Sequence, residues 1–236
     1  MATKSNIPTS EPAYHHSELV KWHLHELDPQ NQEERPLPEI AQELELAHAN
    51  LVGILSAALK IKGRDKETKY RARHILSSGA AVTAVWPKQN IIIDFGLYQY
   101  EFYLSWDITH FKHLFRARDE FWHHLSSLSS LGKLRLMESE SPKPIISNHM
   151  NSTITINNSV VARFFHNMLA FAIDDNNTPD FGSIEVAWPI DHPFEKLFDD
   201  ISNVAYRLHQ MAYHLYRVEY QIEHAKNKRS VPTRAT

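Results

Sequence analysis

The longest regular pattern in the chain lies near its C-terminal end. From Phe194 onward, apolar residues fall at Leu197, Ile201, Val204, Leu208, Met211, Leu215, Val218 and Ile222. The steps alternate between three and four. That is a heptad seam, and it predicts one long helix with a narrow apolar face. Asp191 and Pro193 suit its first turn. A second helical stripe passes through Ile40, Leu44, Ala47, Leu51, Leu55 and Ala58. It predicts a helix from about Pro38 to Lys62, with Gly63 as its stop.

Between these helices the period shortens. Ala81–Trp86, Asn90–Asp94 and Leu97–Trp106 are β-branched or aromatic and read as strands, as does Ser183–Trp188. Asp107 is placed to cap a helix of about 25 residues that closes at Leu131–Gly132. The basic run 64–77 reads as a short second helix. STITI, residues 152–156, alternates strictly and leads through Asn157, Asn158 and Ser159 into a helix over 160–173. Residues 1–36 are expected to be a flexible arm with a short helix near Ser17–Leu27. Residues 37–225 are expected to be a single domain with a linker-like stretch at 138–151, and 226–236 a basic disordered tail. The fold class is α+β, mainly helical, with a small antiparallel sheet or ribbon and the long heptad helix; a ribbon-helix-helix-like dimer is compatible with it. In such a dimer Leu197, Ile201, Val204, Leu208, Met211 and Leu215 would form the interface.

Composition removes several classes of chemistry. The 236 residues include no cysteine and only six glycines. Disulfide scaffolds, thiolate zinc sites and cysteine nucleophiles are excluded, and the glycine-rich phosphate loops are missing. No cofactor or metal is expected. The N-terminal stretch Met1–Tyr14 lacks an apolar core, and no long uninterrupted apolar run occurs, which points to a cytosolic protein.

The net charge of −3 conceals a strong asymmetry. Residues 1–50 hold nine acidic and three basic groups, whereas 60–74 hold seven basic and two acidic. A basic face can hide inside such a total. Lys60, Lys62, Arg64, Lys69, Arg71 and Arg73 are therefore candidates for neutralising phosphate. On an antiparallel ribbon over 152–157, Thr153, Thr155 and Asn157 would face outward and could read base edges in a major groove. Arg163 would lie near the backbone. Gln99–Ser105 is the alternative ribbon.

Two helical motifs suggest other chemistry. Glu45/His48 and Glu120/His123 have the Glu-x-x-His spacing of carboxylate-bridged metal sites, but further inward carboxylates cannot be placed. Arg118 followed by His123 resembles the active motif of HEPN ribonucleases, in which Arg holds phosphate and His moves a proton. Five Arg–His pairs with four to six intervening residues occur, including Arg207/His214 and Arg217/His224 on the heptad helix.

The stretch FYLSWDITHFKHLFRARDEFWHHLSSLSSLGKL (102–134) is similar to the AcaB family of conjugation regulators, through Tyr103–Trp106, Asp119 and Leu131–Gly132. The resemblance implies a ribbon-helix-helix-like homodimer that activates transfer genes of mobile elements by binding double-stranded DNA. Two further readings stand beside it: a HEPN-type ribonuclease using Arg118 and His123, and a non-catalytic helical interaction protein.

Overall fold

The computed structural model describes residues 16–28, 36–75, 79–108, 116–137 and 183–229. Four helices and six strands follow in the order α1 (His16–Leu27), α2 (Leu37–Ile61), β1 (Lys69–Ile75), β2 (Gly79–Trp86), β3 (Ile91–Tyr98), β4 (Glu101–Asp107), α3 (Asp119–Leu128), β5 (Lys133–Met137), β6 (Ser183–Pro189) and α4 (Phe194–Arg229). The strands form one antiparallel sheet in the order β1-β2-β3-β4-β6-β5. The class is α+β, as the periodicities predict, and the sheet is larger than expected.

Alternation along the strands sorts residues between the two faces. Val82, Ala84 and Trp86 of β2, Ile93, Phe95 and Leu97 of β3, and Phe102, Leu104 and Trp106 of β4 are buried in the main core. Leu51, Ile54, Leu55 and Ala58 of α2 and Leu197 to Leu215 of α4 complete that core. On the opposite face an in-register row crosses the sheet: Arg71, Thr83, Asp94, Ser105, Glu185 and Arg135.

Local chemistry explains the ends of α2. Pro36 precedes it and Pro38 sits in its first turn, where no intrahelical N–H is needed. Glu39 and Lys60 complement the helix dipole. Gly63 takes φ +61°, which ends the helix without the strain a side chain would add. By length and composition Pro38–Ile61 would also suffice to cross a membrane, which a search for unbroken apolar runs overlooks; here its apolar stripe packs into the core.

Several expectations are corrected. The segment 64–77 is not a helix: 69–75 is edge strand β1, with Lys69, Arg71 and Arg73 on one face and Tyr70 on the other. Asp107 does not cap a long helix. It ends β4, and the helix that follows is the ten-residue α3. The alternative ribbon over 99–105 falls mostly in β4, which pairs with β3 on one side and β6 on the other and so has no free edge. The short helix expected near Ser17–Leu27 is present as α1, but it is not part of a loose arm, because its Leu19 and His23 are buried. The last helix continues to Arg229, four residues into the expected tail. The heptad seam faces inward: Leu197, Ile201, Val204, Leu208 and Met211 are fully buried within one chain and Leu215 nearly so, which leaves none of them for a dimer interface. The ribbon over 152–157 and the helix over 160–173 lie outside the described residues.

Candidate nucleic-acid interface

With its seam turned to the core, α4 presents the opposite side of its length to solvent and to the flanks of α2 and α3. Between Asp200 and Glu219 it carries no acidic residue, but it does carry Arg207, Arg217, His209, His214, Tyr206, Tyr213 and Tyr216. Two lines of side chains use this stretch.

The first line is a ladder of rings. His209 stacks near Tyr213 (centroids 6.4 Å apart), Tyr213 near Tyr216 (6.2 Å), Tyr216 near Tyr220 (6.3 Å) and Tyr220 near His224 (4.4 Å). The sequence steps are four, three, four and four, so the rings stay on one face of the helix. Tyr213 and Tyr220 are 37% and 51% exposed, which leaves ring surface open to a ligand. At the N-terminal end of the ladder, His209 meets the edge of Trp86 at 4.9 Å. Burial, with Arg64 adding to it, pushes the His209 pKa down to about 4, so the ring is a neutral aromatic at pH 7.

Arg64 connects this ladder to the basic segment. Its guanidinium lies 5.3 Å from the centroid of the Tyr206 ring, a cation–π contact. Its carbonyl accepts the indole N–H of Trp86 at 3.0 Å, which fixes the turn after α2 against the sheet. Ser202 donates to the Ala58 carbonyl at 3.1 Å and holds the end of α2 against α4.

The second line runs along the flank shared with α3. His124 and His214 face each other with centroids 6.3 Å apart, and Tyr206 meets His124 edge-on at 6.4 Å. Arg207 donates to the Ser127 hydroxyl, one turn beyond His124. The His124 pKa is lowered, by burial first and then by Arg207, His214 and His123, with only Glu120 opposing. Arg207 is the fixed cation at this point, and Glu120 the acidic group that offsets it.

The residues anticipated from sequence separate into groups. Lys60 and Lys62 are exposed at the end of α2, and Arg64 turns toward α4. Lys69, Arg71 and Arg73 are exposed on the outer face of β1, where Arg73 pairs with Asp94 at 2.9 Å. The basic run therefore wraps the sheet edge and does not lie on one helical face. Arg118 precedes α3 as its N-cap and is exposed, as is His123. Within the chain the arginine brought beside the α3 imidazoles is Arg207. Of the Glu-x-x-His pairs, His48 hydrogen-bonds to the Arg73 carbonyl at 3.2 Å. No group of three or more metal-ligating side chains assembles among the described residues. Thr153, Thr155, Asn157 and Arg163 lie outside them.

Tyr206, Tyr213, Tyr216, Tyr220 and His124 were not anticipated. The legible signal was the run 201–218, which is long, aromatic and free of acid while still amphipathic. Two concavities lie elsewhere. One of about 380 Å³ is a mainly apolar groove between α1 and α2 near Trp22 and Leu46. The other, about 370 Å³, holds Lys133, Lys196 and a His192–Asp200 pair at 3.3 Å.

Comparison of the chain with protein-family models, curated proteins and solved structures finds no match.

Proposed function

We propose that the protein binds nucleic acid, with unpaired bases stacked on the ring ladder of α4 and phosphates held by Arg64, Arg207 and Arg217. The observation that carries this reading is the ring ladder of α4, with Tyr213 and Tyr220 exposed, which begins in the acid-free stretch 201–218 and continues past Glu219. Base–aromatic stacking is indifferent to sequence and contributes about 1–3 kcal/mol per base. Lys60 and Lys62 extend the basic surface beyond Arg64, which helps a polyanion overcome the protein's negative total charge.

An unpaired strand is favoured over a duplex because stacked base pairs offer no face to a tyrosine on their flank. The resemblance to conjugation regulators supplies the finer version of the reading. In it, the protein activates transcription as a ribbon-helix-helix-like homodimer on double-stranded DNA, with Thr153, Thr155 and Asn157 reading bases and Arg163 contacting phosphate. It requires a dimer contact other than the heptad seam.

Fluorescence anisotropy with short labelled oligonucleotides, single-stranded and duplex, over a range of salt tests both versions. The expected result is tighter binding of the single strand and a steep loss of affinity with salt. Replacing Tyr213 and Tyr220 by alanine should cost about 1–3 kcal/mol per ring. Preference for the duplex, with the tyrosine variants unchanged, would transfer support to the regulator. Absence of binding to any oligonucleotide at low salt would overturn both.

A further inference from the structure

His124, His214 and Arg207 form a constellation that binding alone does not require. The two imidazoles come from different helices, α3 and α4, and their 6.3 Å separation is too long for a mutual hydrogen bond. Rings this close leave no room for a phosphate between them, but both can meet one phosphate resting against their common edge. Arg207 is anchored beside them by Ser127 of α3, three residues after His124. The Nδ1 atom of His124 is buried and has no hydrogen-bond partner among the described residues.

We propose that this cluster cleaves the phosphodiester backbone of RNA, an inference that rests on the nucleic-acid reading above. One imidazole takes the proton from a ribose 2′-hydroxyl as its oxygen attacks the adjacent phosphorus. The bond from phosphorus to the 5′-oxygen breaks, and the second imidazole, protonated, delivers its proton to that oxygen. The products are a 2′,3′-cyclic phosphate and a 5′-hydroxyl end. No metal, oxidant or further reactant is consumed. Arg207 places a fixed positive charge beside the phosphate oxygens as negative charge builds on them. The ladder beyond His209 holds the flanking bases and brings the strand across the cluster.

The groups facing the two imidazoles are His123 and Glu120 on α3 and Arg207 and Tyr206 on α4. Among them Arg207 supplies the fixed positive charge that suits a phosphate, and Glu120 the negative charge that opposes it. One neutral and one protonated imidazole is the combination the chemistry needs.

The test uses the full chain with a labelled single-stranded RNA in EDTA, and binding is measured on the same RNA by anisotropy. Cleavage should leave cyclic phosphate ends and should stop when the 2′-hydroxyl at the cut is replaced by hydrogen. His124→Ala and His214→Ala should each lower the cleavage rate by about a hundredfold or more, while binding changes little. Arg118→Ala should keep most of the rate. Binding without cleavage overturns this inference and leaves the nucleic-acid reading intact. Cleavage that survives both histidine variants, or that is lost with Arg118→Ala, overturns it in favour of a different site. Failure to bind any RNA removes both readings together.

Discussion

His23 of α1 donates its Nε2 proton to the carbonyl of Gln99, 2.5 Å away and 76 residues along the chain. Gln99 sits in the two-residue turn between β3 and β4 at φ +51°. The bond assigns the tautomer, because a carbonyl can only accept. It also ties the first helix to the end of a central hairpin.

Replacing His23 by alanine should therefore destabilise the protein by more than the loss of one exposed imidazole would. His23 is fully buried, so the variant leaves the Gln99 carbonyl without its donor and opens space beside Leu19. Gln99 is exposed and water can take up its carbonyl, so the expected cost is the net worth of one hydrogen bond, about 0.5–1.5 kcal/mol, with the lost packing of a buried ring added to it. Urea unfolding at neutral pH checks this. A midpoint equal to that of the wild type would show that α1 contributes nothing to the fold.

Acid should weaken the fold before its carboxylates titrate. His209 has its pKa pushed down to about 4 in the fold, and burial also lowers His23 and His16. Below an unfolded value near 6.5 the unfolded chain binds more protons at these positions than the folded one, so stability falls as pH falls through that window. It is fully present above about pH 6.5. For His209 the loss levels off near pH 4, at on the order of 3 kcal/mol. The check is the difference in unfolding free energy between about pH 7 and pH 4.5, in wild type and in His209→Gln. Glutamine carries no charge at either pH, so the difference should shrink in the variant.

Much of the fold was legible, and the failures have specific causes. The two long helices were found because their stripes persist over many turns, and Ala81–Trp86 and Ser183–Trp188 were found from β-branched content. In Lys69 to Arg73 the density of charge masks the period: basic residues occupy alternate positions, with Tyr70 and Ala72 between them, which is the alternation of an edge strand. Its lysine and arginines also discourage edge-to-edge pairing. Asp107 was misread because a capping residue has the same identity at the end of a strand. The candidate site was less legible than the fold. Arg207 and His214 stood out only as one of five Arg–His pairs, since nothing local says that α3 will deliver His124 beside them. That contact depends on the packing of two helices some eighty residues apart.

Arg135 should be the most sensitive charge on the outer face of the sheet. It is 8% exposed and donates to Glu101 and, at 3.1 Å, to Glu185. Burial raises the Glu185 pKa above the usual carboxylate range, and Arg135 holds the rise in check. Arg135→Met removes that counter-charge and should cost about 3–5 kcal/mol at neutral pH. The loss should be smaller near pH 5, because a Glu185 with a further raised pKa then takes up a proton and sheds the unpaired charge. Unfolding curves at the two pH values read this out. A pH-independent penalty would mean that Arg135 acts through its packing alone.

The seam of α4 provides the test that separates a core helix from an assembly helix. A heptad repeat specifies a narrow apolar face and does not say whether the partner surface belongs to the same chain. Here Leu208 is fully buried, within the cluster that includes Leu51 and Leu55 of α2 and Phe121 and Leu125 of α3. Leu208→Ala should therefore cost about 2–5 kcal/mol through lost transfer energy and a residual cavity. Because the loss occurs inside one chain, the unfolding midpoint should shift equally at low and high protein concentration. An intermolecular seam behaves differently: its midpoint would depend on concentration, and the variant would lower the mass seen by light scattering. An unchanged mass together with a concentration-independent shift places the seam inside the chain, leaving the solvent side of α4 free for a ligand.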